Sequence, residues 1–496
     1  MSDCDVAIVG GGLVGTAVAF GLAERGQRVA VLDGGDSDLR ASRGNFALVW
    51  VQSKGLGMPG YSRWTRDSAD RWPAFAATLR EESGIDVAHR RPGGLTFVLN
   101  QAEWDRRESF MRRLAGQPGM DGFRYEMLDH AAVGKMIPEI GPEVLGASYC
   151  PLDGDCNPLR LIRALHVAMQ RRGVTYLPER RVESIEKTAG EFRIGTAKGE
   201  IRAGKVVLAA GLGNATLGPM VGIDIAVYPQ RGQLMVTEKV APFLPYPVSK
   251  VRQTDEGGVM IGDSMEDAGF DASVGVALLS VLADRAQRSF PLLGALNIVR
   301  SWSCLRVMTR DGFPIYAESE QCPGAFAFTC HSGVTLAAIH ASALAELVAA
   351  GKVPTDDFAI FHPVQHQGAP VVTPDAVTLA ILVDVATVTD HLAPAVQDLV
   401  IGGDGDLALG LLAIDQKEHV VDDVGGHRPA LHQGRQDGDI VVRATFEHRP
   451  VIVDGVVVIE AANQPEIPPV DAVAIGPGEA LERDRIQCLL ERDGMR

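Results

Sequence analysis

The chain has 496 residues, enough for two or three domains with ordinary cores, and its 46% hydrophobic and 22% charged content is that of a soluble globular protein. No apolar run reaches the roughly 18–20 residues of a membrane span, and no basic region precedes an apolar core at the start, so neither a span nor a signal peptide is expected. The net charge of −16 is concentrated in residues 365–496, with 22 acidic and 9 basic side chains, and the absence of a basic stripe argues against nucleic acid as a partner.

The first elements in the chain are the most informative. Val6-Ala7-Ile8-Val9 is a short continuous apolar run, the pattern of a buried parallel strand. It leads into Gly10-Gly11-Gly12-Leu13-Val14-Gly15, in which Gly10, Gly12 and Gly15 fill the three positions of G-x-G-x-x-G. Those glycines permit a tight turn, close backbone approach to a pyrophosphate, and packing of the next helix on the strand. A second apolar run, Val29 to Leu32, ends in Asp33, placed to accept hydrogen bonds from a ribose hydroxyl. Strand, glycine turn, helix, strand and acid together predict a dinucleotide site, with NAD, NADP and FAD all open at this point.

Small residues from Gly34 to Phe46 let the chain pass back across a bound dinucleotide. Trp64, Trp72, Phe75 and Leu79 fall at helical spacing within Tyr61–Ser83, and Gln101–Ala115 reads as a charged helix. Pro92 to Leu99 reads as a turn and a strand. Asn157-Pro158 caps and starts a helix over 159–172. Val174–Leu177 and two hairpin-like strands through Phe192 to Ile201 follow. Lys205 to Gly211 is a second buried strand running into glycine, so the chain returns there to the first sheet. Residues 227–296 read mostly as strands and turns. Ser301 to Ile315 precedes a strand at Ala325–Phe328, and the loop His331-Ser332-Gly333-Val334-Thr335 caps a helix from about Leu336 to Ala350. Beyond residue 364 only one aromatic, Phe446, and one lysine, Lys417, remain, and no helix or strand period is sustained. A poorly ordered extension that is not part of the main body is expected there. Seven scattered cysteines show no zinc or iron–sulfur spacing, which suits a reducing cytoplasm.

Taken in order, Gly10–Gly15 with Asp33, Ser42-Arg43-Gly44, Asp153 to Pro158, Val206 to Gly211, Pro229 to Gln233 and Ile261 to Asp267 resemble the D-amino-acid oxidase superfamily of FAD-dependent amine oxidoreductases, the branch with glycine oxidase and sarcosine oxidase. The runs Ala41 to Trp50 and Cys330 to Thr335 are most similar to the FAD subunit of opine oxidases and D-hydroxyproline dehydrogenases. The resemblance covers roughly residues 3–363. It implies an α/β fold: a Rossmann-type FAD-binding domain (1–60, 141–222, 297–364) with an inserted α+β substrate domain (61–140, 223–296), the atypical acidic tail 365–496 lying outside it.

The resemblance further implies FAD as cofactor. Its AMP half would lie on Gly10, Gly12, Leu13, Val14, Gly15 and Asp33, with backbone contacts from Val182 and proximity to Gly211. The flavin would lie between Ser42, Arg43, Gly44 and Asn45 on one loop and Ser332, Gly333, Val334 and Thr335 on another. Arg306 matches the arginine of the family's L-R-P-x-T-x-D-G segment and would grip a substrate carboxylate, although Val307 replaces the usual proline; pairing with Asp311 is the alternative. His331 would polarise the flavin or tune amine protonation, or be a buried, hydrogen-bonded histidine. In sarcosine oxidases a cysteine comparable to Cys304 is bonded to the flavin; here Cys304 is read as a small apolar side chain. The implied reaction is oxidation of the C–N bond of an amino or imino acid by hydride transfer to flavin N5, with oxygen, a quinone or an acceptor subunit taking the electrons and a homo- or hetero-oligomer possible. Two alternatives are a flavin-dependent hydroxylase and an FAD electron-relay subunit of a heteromeric dehydrogenase.

Overall fold

The computed structural model describes residues 3–35, 41–188 and 190–351 and the backbone of four short strands between residues 432 and 459. The chain divides into one unit spanning Met1–Thr378 and a second spanning Leu379–Arg496.

The apolar runs of the sequence form the centre of an eight-stranded sheet in the first unit. Cys4–Val9 lies between Val29–Leu32 and Gly199–Leu208 and is parallel to both. Thr175–Leu177 extends the sheet on one side, Ala325–Thr329 and the antiparallel Ile315–Glu318 on the other. The central runs 6–9, 29–32 and 206–208 are apolar throughout because both faces are covered. Val6, Ile8, Val31, Val207 and Phe326 pack on helices Leu13–Glu24, Pro59–Ser83 and Pro158–Arg171. Their alternates, Ala7, Val9, Leu32, Val206 and Leu208, pack on the hairpin Val182–Thr188 with Glu191–Thr196. Helix Pro158–Arg171 starts where the sequence indicates: the Asn157 side chain accepts from the Arg160 N–H at 3.1 Å.

A second, antiparallel sheet runs Val251–Gln253, Gly258–Gly262, Val227–Lys239, Ile298–Thr309. It shares an apolar cluster with a three-stranded sheet of Gly94–Val98, Gly146–Cys150 and Glu126–Asp129 through Leu95, Phe97, Met235, Val259 and Ile261.

Four features differ from the sequence reading. Residues 227–296 contain a helix, Val276–Ser289, whose Leu278, Leu282 and Ala286 recur at four-residue steps and enter the core. The segment around Arg306 is a strand of the four-stranded sheet, and helix Pro59–Ser83 buries Trp72, Phe75 and Leu79 against the larger sheet's helical layer. The helix after Thr335 is interrupted: Ala337–Ile339 and Ala345–Ala350 flank a wide π turn, His340–Leu344. There the Arg25 guanidinium donates to the carbonyls of Gly21 and Ser342, tying the turn to helix Leu13–Glu24. In the second unit, the backbone pairs His432–Gln436 with Asp439–Arg443 and Pro450–Val453 with Val456–Ile459, each pair flanking an Asp-Gly in sequence. The remaining residues of the expected disordered extension lie outside those described.

Candidate active site

The sequence-predicted residues gather at the C-terminal ends of the parallel strands, where ligands bind in open α/β sheets. Gly10 follows Val9 with φ +114°, and a Cβ there would lie 2.4 Å from the Ala209 carbonyl oxygen. A Cβ on Gly15 would lie 2.0 Å from the carbonyl oxygen of Gly10, so the helix closes on the strand only with glycine at that position. Asp33 is buried; it accepts from the Gly11 N–H at 2.6 Å and from the Gly35 N–H at 2.8 Å. Its backbone carbonyl accepts from Arg180 N–H at 2.7 Å, which brings the strand beginning at Val182 to the same edge.

Two loops meet this turn. The Leu13 N–H donates to Ser42 Oγ at 2.9 Å, which joins the second loop to the start of the helix; Arg43 beside it is exposed. Asn45 Nδ2 donates to the Ser42 carbonyl, while Asn45 Oδ1 is buried without a partner among the described residues. On the other side Gly333 faces Leu13 and Val14. The backbone N–H groups of Gly333, Val334 and Thr335 precede the helix and, among the described residues, donate to no protein acceptor. The side chains in this loop act as struts. Ser332 Oγ accepts from Tyr61 OH at 2.9 Å; Thr335 Oγ1 accepts from Trp50 N–H and donates to the Leu48 carbonyl.

At the far end the four-stranded sheet supplies Arg306. Its guanidinium donates to Asp263 Oδ2 at 2.8 Å and to the Arg231 carbonyl at 3.3 Å, leaving three of its five N–H donors free. Its partner is thus Asp263, which follows strand Gly258–Gly262, whereas Asp311 accepts from Thr309 and Phe313 within its own turn. Gly232 gives the guanidinium its space, since a Cβ there would lie 2.5 Å from it. Behind it, buried Arg231 pairs with Glu266 at 2.6 Å, and Glu266 also accepts from Gln233 and Ser264. Val307 approaches Gly211, and Cys304 Sγ donates to the Gly44 carbonyl at 3.3 Å, so the strand touches both the glycine edge and the second loop. Burial pushes the Cys304 thiol up.

By surface accessibility His331 is exposed, while Asp263 and Lys54 are half-buried. Among the described residues His331 has no hydrogen-bond partner; desolvation pushes its imidazole well below the ordinary value, with the Lys54 and Arg306 cations adding to the effect. Burial also disfavours the Asp263 carboxylate, yet Lys250, 3.1 Å away, and Arg306 outweigh it and hold the carboxyl well below the usual range. Sequence reasoning missed Lys54, Asp263 as the partner of Arg306, and Gln230, which lies opposite Arg306 in the ladder with a buried, unpartnered Oε1. Lys54 carried one available signal, a lone lysine in an otherwise apolar and small-residue passage.

The sequence profile of the DAO family, described as FAD dependent oxidoreductase, matches residues 5–347. The chain belongs to this family. It is 48% identical over 361 residues to an opine oxidase subunit of Agrobacterium tumefaciens (strain Ach5), covering 73% of this chain and 97% of that protein. It is 29% identical over 375 residues to glycine oxidase of Geobacillus kaustophilus (strain HTA426), with the same coverage. The crystal structure of glycine oxidase from Geobacillus kaustophilus superimposes with a TM-score of 0.67 at 28% identity, over 73% of this chain and 98% of that one. As a DAO-family member the protein is an FAD-dependent oxidoreductase with the family's α/β fold. Its residues suit that cofactor. Glycines fill the close-packed turn at a helix N-terminus, and among the described residues the N–H groups of Gly333, Val334 and Thr335 donate to no protein acceptor. Among the described residues no helix is long and apolar enough to cross a membrane.

Proposed function

We propose that the protein oxidises the C–N bond of an amino or imino acid, of glycine, D-amino acid, D-hydroxyproline or opine type. The observation that carries this reading is the guanidinium of Arg306, fixed by Asp263 and the Arg231 carbonyl yet retaining donors that have no partner among the described residues. A planar guanidinium binds a carboxylate through two parallel hydrogen bonds and so sets the orientation of the α-carbon. When bound, FAD supplies the two-electron acceptor, its N5 taking the α C–H as hydride.

In this reading Gly10, Gly12, Leu13, Val14, Gly15, Asp33, Val182 and Gly211 hold the nucleotide half, and the loops Ser42 to Asn45 and Ser332 to Thr335 flank the flavin. The free N–H groups of the latter would stabilise negative charge. His331, kept neutral, can accept a proton from the substrate ammonium, leaving a lone pair on nitrogen to form the imine as the C–H bond breaks. Water then adds to the imine and releases an oxo acid and an amine. Cys304, its thiol donating to Gly44, serves as packing. Electrons leave to oxygen, a quinone or a partner subunit. Similarity to a protein named as one subunit of an opine oxidase supports the last, and with it a relay within a heteromeric enzyme. All six described cysteines are free thiols, which supports a cytoplasmic setting.

The test is anaerobic bleaching of the flavin by amino acids and, in parallel, by the matching 2-hydroxy acids, with the oxo acid and amine products measured. Bleaching by the amines alone, with both products formed, is expected; bleaching by the hydroxy acids alone would transfer the site to C–O oxidation.

A further inference from the structure

His166 has no role in the site as described so far, although it touches the centre of the glycine turn. It lies on helix Pro158–Arg171, whose Ile162, Leu165 and Met169 share an apolar cluster with Val18 and Leu22 of helix Leu13–Glu24. That packing brings the half-buried imidazole to the turn, with Nε2 3.1 Å from the Gly11 carbonyl oxygen. A carbonyl only accepts, so Nε2 carries the proton and donates.

The ring is held on a second side as well. Tyr176, on strand Thr175–Leu177, stands edge-to-face with it, the centroids 4.7 Å apart and the planes at 88°. Tyr176 and Asp33 also close on Gly11: a Cβ there would lie 3.0 Å from Tyr176 Cε2 and 2.2 Å from Asp33 Oδ2. The middle residue of G-x-G is therefore glycine because these two side chains occupy its flank.

The N–H groups around Gly12 have protein partners. Gly10 N–H donates to the Leu32 carbonyl at 2.8 Å, Gly11 N–H to Asp33 at 2.6 Å and Leu13 N–H to Ser42 Oγ at 2.9 Å. The Gly12 carbonyl accepts from Thr16 N–H at 2.9 Å and from Thr16 Oγ1 at 2.7 Å. Among the described residues the Gly12 N–H itself has no acceptor, and Gly12 keeps accessible surface where Gly11 is buried. This N–H shares a trans peptide unit with the Gly11 carbonyl. In such a unit the two groups point in opposite directions. Holding the carbonyl on His166 therefore turns the Gly12 N–H to the far side of the peptide, at the N-terminus of a helix, where anions bind.

We propose that His166 is a positioning residue for the cofactor: by holding the Gly11 carbonyl, it aims the Gly12 N–H at the pyrophosphate of FAD. It acts through the Gly11–Gly12 peptide, and the assignment is independent of which substrate the flavin oxidises.

The test uses the full chain, stripped of flavin and titrated with FAD, ADP and adenosine. FAD binding is read from the change in flavin fluorescence and the other two from competition; ADP carries the pyrophosphate and adenosine lacks it. His166→Leu and His166→Met come close to the original volume without a donor, whereas His166→Gln keeps an N–H donor. Both donorless variants are expected to bind FAD and ADP about 10-fold more weakly and adenosine within about 3-fold of wild type. The melting temperature of the flavin-free chain should stay within about 2 °C. His166→Gln should stay within about 3-fold for all three ligands. Unchanged FAD and ADP affinity in the donorless variants would overturn the assignment. Equal losses on ADP and adenosine, a loss in His166→Gln as large as in His166→Leu, or failure of both donorless variants to fold would overturn it too, leaving His166 a packing residue.

Discussion

Replacing Arg306 by alanine should cost substrate binding far more than it costs the fold. Two parallel charge-assisted hydrogen bonds to a carboxylate contribute about 1.5–3 kcal/mol each, so their joint loss is about 3–6 kcal/mol, or roughly 10²- to 10⁴-fold in kcat/KM. The structural cost is smaller because Asp263, 2.8 Å from Arg306, keeps Lys250 at 3.1 Å, so no enclosed carboxylate is stranded. About 1–2 kcal/mol of stability, or roughly 2–6 °C in Tm, is the expected loss. The assay is stopped-flow reduction of the flavin by the best substrate of an amine panel, run beside flavin content and thermal melting. The expected result is a KM rise that accounts for most of the loss, with flavin content unchanged. Unchanged kinetics would remove Arg306 from the site, and loss of flavin with loss of activity would make it a structural residue.

Gly232→Ala should mimic that variant without touching Arg306 itself, because its Cβ would lie 2.5 Å from the guanidinium; a raised KM with full flavin content is expected, and wild-type kinetics would refute the packing argument. Gly15→Ala should act at the other end: with a Cβ 2.0 Å from the Gly10 carbonyl oxygen, the purified protein should show at least about 10-fold less flavin absorbance per chain, and full flavin content would contradict the cradle. His340 is fully buried, with Tyr316 OH at 2.7 Å from Nε2, and burial pushes it down to about 3 from 6.5. Its folded value lies below its unfolded one, so its stability contribution is full above about pH 6.5 and is lost as pH falls through 3, by roughly 5 kcal/mol in all. His340→Gln, which keeps an acceptor for Tyr316, should therefore show a shallower fall in Tm between about pH 6 and 4 than wild type; parallel curves would remove His340 from the acid transition.

What was legible in the sequence was the part that depends on local pattern. Continuous apolar strands, glycine spacing and the Asn157 cap each carry their geometry in a few adjacent residues, and the eight-stranded sheet follows from them. The helix Val276–Ser289 is equally readable from Leu278, Leu282 and Ala286, but the strands and turns before it suggest that the same texture continues. The partner of Arg306 is not readable. Asp263 is 43 residues away and is brought to it by the register of Gly258–Gly262 and Ile298–Thr309 on the two sides of Val227–Lys239, whereas Asp311 is merely near in sequence. The Asp-Gly pairs that flank the short hairpins between 432 and 459 are visible as turn chemistry, but the aromatic-poor composition around them points away from regular structure.

The most direct measurement is the visible spectrum of the purified full chain, followed anaerobically through addition of glycine, sarcosine, D-proline, D-hydroxyproline and opines and, separately, NADPH. A flavin spectrum bleached by at least one amino or imino acid and left intact by NADPH is the expected result. Bleaching by NADPH with none by any amine would contradict the proposed chemistry and favour a hydroxylase.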